Sequence, residues 1–199
     1  MEQFFDFLNP VESKLKKYQE ILLKWQKNFN LISKNTEKDI WTRHILDSAQ
    51  LWKYIPDSVN CLLDIGSGAG FPAVVLAVLN TNTPKIKRIV MVEKDVQKAV
   101  FLKEVIRELS LTAEVLDCKI QEVQLEDVDV VTARAFSSLK ELIELMKPFY
   151  HKGTIGLFLK GESVDKEINE LNVPVSLDKI QSLTHNKSQL VYVKEIFYP

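Results

Sequence analysis

The chain has 199 residues, of which 46% are hydrophobic, and a formal net charge of −1. That length supports one domain with a full core, here residues 1–199, and argues against a second catalytic domain; near-neutral charge means that any nucleic-acid surface must be a local basic patch. The longest apolar run, residues 73–79, falls far short of the roughly 20 residues a membrane span needs, and Glu2 and Asp6 stand where a signal peptide would be basic, so a soluble cytoplasmic protein is expected.

From residue 11 to 29, Leu15, Tyr18, Ile21, Leu22, Trp25 and Phe29 recur at steps of three and four with lysines between them, which predicts an amphipathic helix. Its lysines, Lys14 to Lys27, are expected on a solvated face, with an RNA track as the alternative. A second helix is predicted over about 37–54, with Ile40, Trp41, Ile45, Leu46 and Ala49 as its apolar set and Pro56 closing it. Residues 1–57 thus form a helical extension ahead of an α/β core at 58–199. Trp25, Trp41 and Trp52 read as packing anchors.

After residue 60, strands and helices alternate, the pattern of parallel strands joined by crossover helices. Strands are predicted at 61–65, 88–92, 113–116, 128–133 and 154–159. Helices fall at 71–79, at 95–109 with Asp95 as its cap, and from Ser138-Leu139-Lys140-Glu141, which has the form of a capping box, to near Pro148. Two further strands, 175–182 and 189–197, flank Thr184-His185-Asn186-Lys187 and predict a terminal hairpin. The expected class is α/β, a doubly wound Rossmann-like sheet of order 3-2-1-4-5 with an antiparallel hairpin at its edge. The ligand crevice of such a sheet lies beyond the carboxyl ends of strands one and four.

At that crevice stands Asp64-Ile65-Gly66-Ser67-Gly68-Ala69-Gly70-Phe71-Pro72. Glycines let bare backbone approach a ligand closely. The spacing differs from the G-x-G-x-x-G of dinucleotide proteins, where a glycine or alanine would replace Phe71, and so favours S-adenosylmethionine. Asp64, Gly66, Gly68, Gly70 and Phe71 are therefore candidate cofactor residues. Glu93 follows strand two, where a carboxylate can accept from both ribose hydroxyls; the other reading is a surface glutamate paired with Lys94 or Arg88. Ile120 and Gln121 follow strand three, within reach of an adenine edge. Arg134 ends strand four and Lys160 ends strand five, beside Gly161; two cations there suit a phosphate or a methionine carboxylate, with a structural ion pair as the alternative for Arg134.

Other chemistry is missing. There is no Asn/Asp-Pro-Pro-aromatic loop for amino-directed transfer and no Pro-Cys dipeptide for attack on a pyrimidine ring. Cys61 and Cys118 have no partner at metal spacing and read as reduced structural thiols, so no metal is expected. A target nitrogen with a free lone pair, such as N7 of guanine, needs positioning rather than a nucleophile. On the second helix, spacing puts His44, Asp47 and Ser48 on one face, which reads either as a polar face toward the crevice or as a structural tie.

Taken together, Asn30-Leu31-Ile32, Arg43-His44-Ile45-Leu46-Asp47-Ser48, the loop from Asp64 to Pro72, Arg134-Ala135-Phe136 and Leu159-Lys160-Gly161 resemble the RsmG family, also called glucose-inhibited division protein B, over nearly the whole chain. The resemblance implies a class I methyltransferase fold with an N-terminal helical extension. It further implies a bacterial cytoplasmic enzyme that moves a methyl group from S-adenosylmethionine to N7 of one guanosine in small-subunit ribosomal RNA. The partner would be that RNA or the 30S particle, and the enzyme a monomer. Gly66, Phe71, Glu93, Ile120, Gln121 and Arg134 match the family's cofactor site; Arg43, His44, Arg134 and Lys160 match its substrate side, with Arg134, Lys160 and His44 as the catalytic candidates. Ala73 replaces the family's usual glycine, Ile32 a common threonine, and Asn186-Lys187-Ser188-Gln189 stands where many members carry an arginine. Transfer to a small molecule or protein, or simple cofactor binding without catalysis, are the competing readings.

Overall fold

The computed structural model describes residues 2–198, with side chains from residue 5 onward. Seven strands form one sheet in the order β3-β2-β1-β4-β5-β7-β6. Strands β1 (Val59–Ile65), β2 (Ile86–Val92), β3 (Glu114–Leu116), β4 (Val128–Arg134) and β5 (Ile155–Lys160) run parallel. Strands β6 (Val175–Gln181) and β7 (Gln189–Ile196) close the edge as an antiparallel hairpin. The inner strands β1 and β4 are buried over most of their length because helices cover both faces of the sheet. At the edge, β6 has no neighbour on one side and shows no fully buried position.

Helices α3 (Ala73–Asn80), α4 (Val96–Leu109), α5 (Leu139–Met146) and the short α6 (Val164–Asn169) make the crossovers and flanks. Asp95 caps α4 by accepting from the amides of Gln97 and Lys98, and Ser138 caps α5 by accepting from that of Glu141. On one face of the sheet, α3 is buried along seven successive residues, because α1 (Glu12–Gln26) packs over it and brings Leu15, Tyr18 and Leu22 into the same core. The other face packs Leu63, Ile65, Val131 and Phe158 against Leu139, Leu142, Ile143 and Met146 of α5.

The predicted helix over 37–54 is not one helix. The chain runs through a 3₁₀ stretch Lys34–Asp39, a π turn Trp41–Leu46, a single α turn α2 (Asp47–Ala49) and a second 3₁₀ stretch Gln50–Tyr54. A π turn inserts one residue per turn, so positions that share a face of an ideal helix are rotated apart. The 3₁₀ segment Glu2–Val11 and helix α6 lie where no helix was expected. Pro72, expected in the first helical turn, stands one place earlier as the N-terminal flank of α3.

Strand register sets the site. Ile65 lies beside Val92, and Asp64 beside Thr132, so the carboxyl ends of β1, β2 and β4 reach the same level and release the glycine loop, Glu93 and Arg134 side by side.

Candidate active site

A chamber of about 720 Å³ opens at those strand ends. Its wall includes Gly66, Gly68 and Phe71 from the loop, Glu93, Ile120 and Gln121 from the next two strand ends, and His44, Arg134 and Phe136. Asp64 and Gly70 are placed behind this wall, and Arg43 and Lys160 are not on it.

Behind the loop, Gly70 has φ +93, and a Cβ there would come within 2.5 Å of Val74 and 3.0 Å of the Tyr18 hydroxyl, so it serves close packing. Tyr18, fully buried in α1, donates to the carbonyl of Ala69 and sets its ring 5.3 Å from that of Phe71. The N-terminal extension therefore pins the loop directly. At the other end of the turn, Gly66 has φ +67, and a Cβ would come within 2.0 Å of the Phe136 ring.

Glu93 is 7% exposed and braces the wall. One carboxylate oxygen accepts from the Gly68 amide and the other from the Asp95 amide, each at 2.8 Å. Each oxygen keeps a further lone pair for a ligand hydroxyl. The alternative partner Arg88 instead pairs with Glu114. Asp64 is fully buried; its Oδ1 accepts from the Thr132 hydroxyl at 2.6 Å, Oδ2 has no partner among the described residues, and burial pushes its pKa up to about 6.

Arg134 is held from three sides. Its Nη2 donates to the carbonyl of Arg43 and lies 3.5 Å from Asp47 Oδ2, while the guanidinium carbon sits 5.7 Å from the Phe71 ring centroid. Its Nη1 is buried with no partner among the described residues. Burial draws its pKa below the ordinary value, opposed by the charge of Asp47. The alternative of a structural ion pair is thus half of what is seen; the other half is a donor left open on a chamber residue. Arg43 contributes its carbonyl rather than a second cation at the wall.

His44 stacks on Phe71 with ring centroids 4.9 Å apart and shares a hydrogen bond of 2.9 Å with the Thr36 hydroxyl. Burial, followed by the charges of Arg134 and Arg43, pulls its pKa down to about 3. The ring is neutral near pH 7 and forms part of the wall. Asp47 does not join it on one face. Its Oδ1 instead accepts from Gln50 at 2.8 Å, Ser182 at 2.9 Å and Thr184 at 2.8 Å, and the Ser48 hydroxyl bonds the carbonyl of His44. Of the two readings of these polar residues, a face toward the crevice or a structural tie, these bonds match the tie, with Asp47 and His44 bonded to different partners.

Lys160 is also placed differently from the expected free cation. Its Nζ donates to the Ser137 carbonyl at 2.6 Å and pairs with Glu167 at 2.6 Å, leaving the side chain 10% exposed. It meets Arg134 only at a smaller cavity of about 180 Å³.

The sequence pattern described as rRNA small subunit methyltransferase G, the GidB family, matches residues 11–193. The chain is 38% identical over 185 residues to the ribosomal RNA small subunit methyltransferase G of Rhodospirillum rubrum, covering 92% of this chain and 90% of that protein. This chain belongs to the GidB family. The protein of that name from Cereibacter sphaeroides is 35% identical over 193 residues, 96% of this chain and 94% of its own. In fold, the chain is similar to a SAM dependent methyltransferase from Aquifex aeolicus, with a TM-score of 0.59 and 16% identity over 77% of this chain and 91% of that one. A precorrin-6y C5,15-methyltransferase from Geobacter metallireducens GS-15 gives a TM-score of 0.56 and 15% identity, covering 75% and 87% of the two chains. These likenesses show the sheet architecture of S-adenosylmethionine-dependent methyltransferases.

The residues present fit that cofactor. A carboxylate braced on backbone amides suits a ribose diol, and the open Nη1 of Arg134 suits a carboxylate. Among the described residues no group of three or more His, Cys, Asp or Glu is placed to hold a metal. Tyr18, Thr36 and Phe136 went unremarked in the sequence as site residues. Tyr18 reaches the loop across 51 positions, which no local pattern signals.

Proposed function

We propose that this protein transfers a methyl group from S-adenosylmethionine to N7 of a guanosine in small-subunit ribosomal RNA, acting as a cytoplasmic monomer with residues 1–199 as one unit. Family membership supports the reaction and substrate class. No helix among the described residues is long and apolar enough to cross a membrane. The observation that carries the reading is the chamber wall, which Glu93, braced on backbone amides, shares with Arg134, whose buried Nη1 has no partner among the described residues.

When bound, S-adenosylmethionine supplies a methyl group activated on a sulfonium sulfur. Glu93 would accept from the ribose hydroxyls, Ile120 and Gln121 would border the adenine, and Gly66 and Gly68 would give the chain of the methionine room against bare backbone. Arg134 would hold its carboxylate. A bidentate grip on guanine O6 and N7 would occupy the lone pair that must attack, so Arg134 belongs on the cofactor side. His44, neutral and stacked, excludes water and moves no proton. Catalysis is then positional: the chain holds donor and nitrogen in line.

The test uses labelled cofactor and small-subunit RNA, naked or in particles, from a strain lacking the modification. Label on guanine N7 is expected, and its absence from that atom in both substrates overturns the reading.

A further inference from the structure

We propose that Phe136 and Glu141 form the subsite for the target base, an aromatic platform and a carboxylate that receive a guanine turned into the chamber; this rests on the function proposed above. Of the large apolar side chains exposed among the described residues, Val96, Val100, Phe136, Leu183 and Phe197, Phe136 is the one that lines the chamber. One edge of its ring rests on Gly66, and 39% of the residue stays exposed.

The chain fastens this exposed ring from both sides. Ala135 before it is in the left-handed region at φ 50. After it, Lys160 Nζ holds the Ser137 carbonyl at 2.6 Å, and Glu167 Oε2 holds the Leu139 amide at 2.7 Å while pairing with Lys160. Ser163 donates to the other Glu167 oxygen at 2.7 Å. A nearly buried ion pair is a weak source of net stability. Its position under the 135–139 loop is explained if the ring must be held open for a ligand.

Glu141, in the first turn of α5, lines the same chamber. Its side chain is exposed and makes no hydrogen bond or ion pair among the described residues. Guanine carries N7 and O6 as acceptors on one edge and the N1–H and N2 amino donors on the other. A carboxylate that accepts from the donor edge leaves N7 free, and it repels adenine, whose N1 is an acceptor. Stacking an unpaired base on an aromatic ring is the usual way proteins hold single-stranded RNA. As the N7 lone pair forms the new N–C bond, the C–S bond breaks with its electrons left on sulfur. No proton leaves, and the positive charge passes to the purine. An aromatic face and a carboxylate both favour that cation.

The full-length variants Phe136→Leu, Phe136→Tyr and Glu141→Gln test this. Phe136→Leu should lower kcat/KM on RNA by about 10- to 100-fold, with S-adenosylhomocysteine affinity changed less than about threefold; Phe136→Tyr should restore most of the loss. Glu141→Gln should cost about tenfold on RNA. By calorimetry with S-adenosylhomocysteine present, wild type should bind 7-methylguanosine monophosphate tighter than guanosine monophosphate, and Phe136→Leu should erase that preference. Unchanged kcat/KM in Phe136→Leu, or cofactor affinity lost in step with turnover, overturns the subsite. If wild type leaves guanine N7 unlabelled, the function proposed above fails instead, and the nucleotide titrations still decide the subsite.

Discussion

The large chamber and the small cavity beside it are both built from charged residues at strand ends, and they use them differently. Around the small cavity, cations and anions meet each other: Lys160 with Glu167, Arg134 with Asp47. Around the large one, capacity is left over, on Glu93 as further lone pairs and on Arg134 as an unpartnered Nη1. A place at the carboxyl end of a strand therefore does not make a residue a ligand contact. Its unspent hydrogen bonds do. Arg134 borders both cavities and joins the two networks.

The severest way to break this contrast is Arg134→Met. Removing one partner of a buried pair should cost about 3 kcal/mol of stability in urea unfolding, and calorimetry should show cofactor affinity weakened by at least about 100-fold; wild-type affinity would contradict the role given to Nη1. Glu93→Gln is next, with about a tenfold loss of cofactor affinity and a smaller loss of stability, since an amide oxygen can still accept one backbone N–H. Lys160→Met sharpens the contrast from the other side. Turnover on RNA should fall several-fold as the Phe136 loop loosens, while cofactor affinity stays within about twofold, because the ammonium is spent inside the protein.

One buried and one half-buried group, Asp64 and His44, should pull the pH dependence of stability in opposite directions. Asp64 has a folded pKa of about 6 against an ordinary 3.8, so between these values the folded state holds a proton the unfolded state lacks, and stability falls as pH rises. His44 has a folded pKa of about 3 against 6.5, so the unfolded state holds the extra proton in that window, and stability is lost as pH falls. Relative to wild type, Asp64→Asn should gain a slope rising with pH between 3.8 and 6, and His44→Gln one falling with pH over the same window, read from urea midpoints. The smallest effect belongs to Arg88→Ala. Its pair with Glu114 is half-exposed, so under about 1 kcal/mol is expected, with cofactor affinity unchanged.

Much of the architecture is legible in the sequence. The five parallel strands, the caps Asp95 and Ser138 and the terminal hairpin lie within a few residues of their expected places, because each is specified by local apolar runs, a capping side chain or a turn group. The segment 37–54 reads as one helix in the sequence because Ile40, Trp41, Ile45, Leu46 and Ala49 fit helical spacing well enough to hide a π turn. Helix α6, six residues beginning after Gly161-Glu162-Ser163, is too short to leave a periodic signal. At the site, Gly66, Gly68, Phe71, Glu93, Ile120, Gln121, Arg134 and His44 do gather on one wall.

By itself the sequence determined the sheet, its switch point and the chemistry offered there, since glycine spacing, strand-end charge and apolar runs are properties of neighbours in the chain. Only the tertiary structure decided which of those charges remain available. The bonds that tie Asp47 to Ser182 and Thr184 and Tyr18 to Ala69 span 135, 137 and 51 positions. Hydrogen-bonding capacity is consumed by whatever lies within about 3 Å in space, and no local pattern records that.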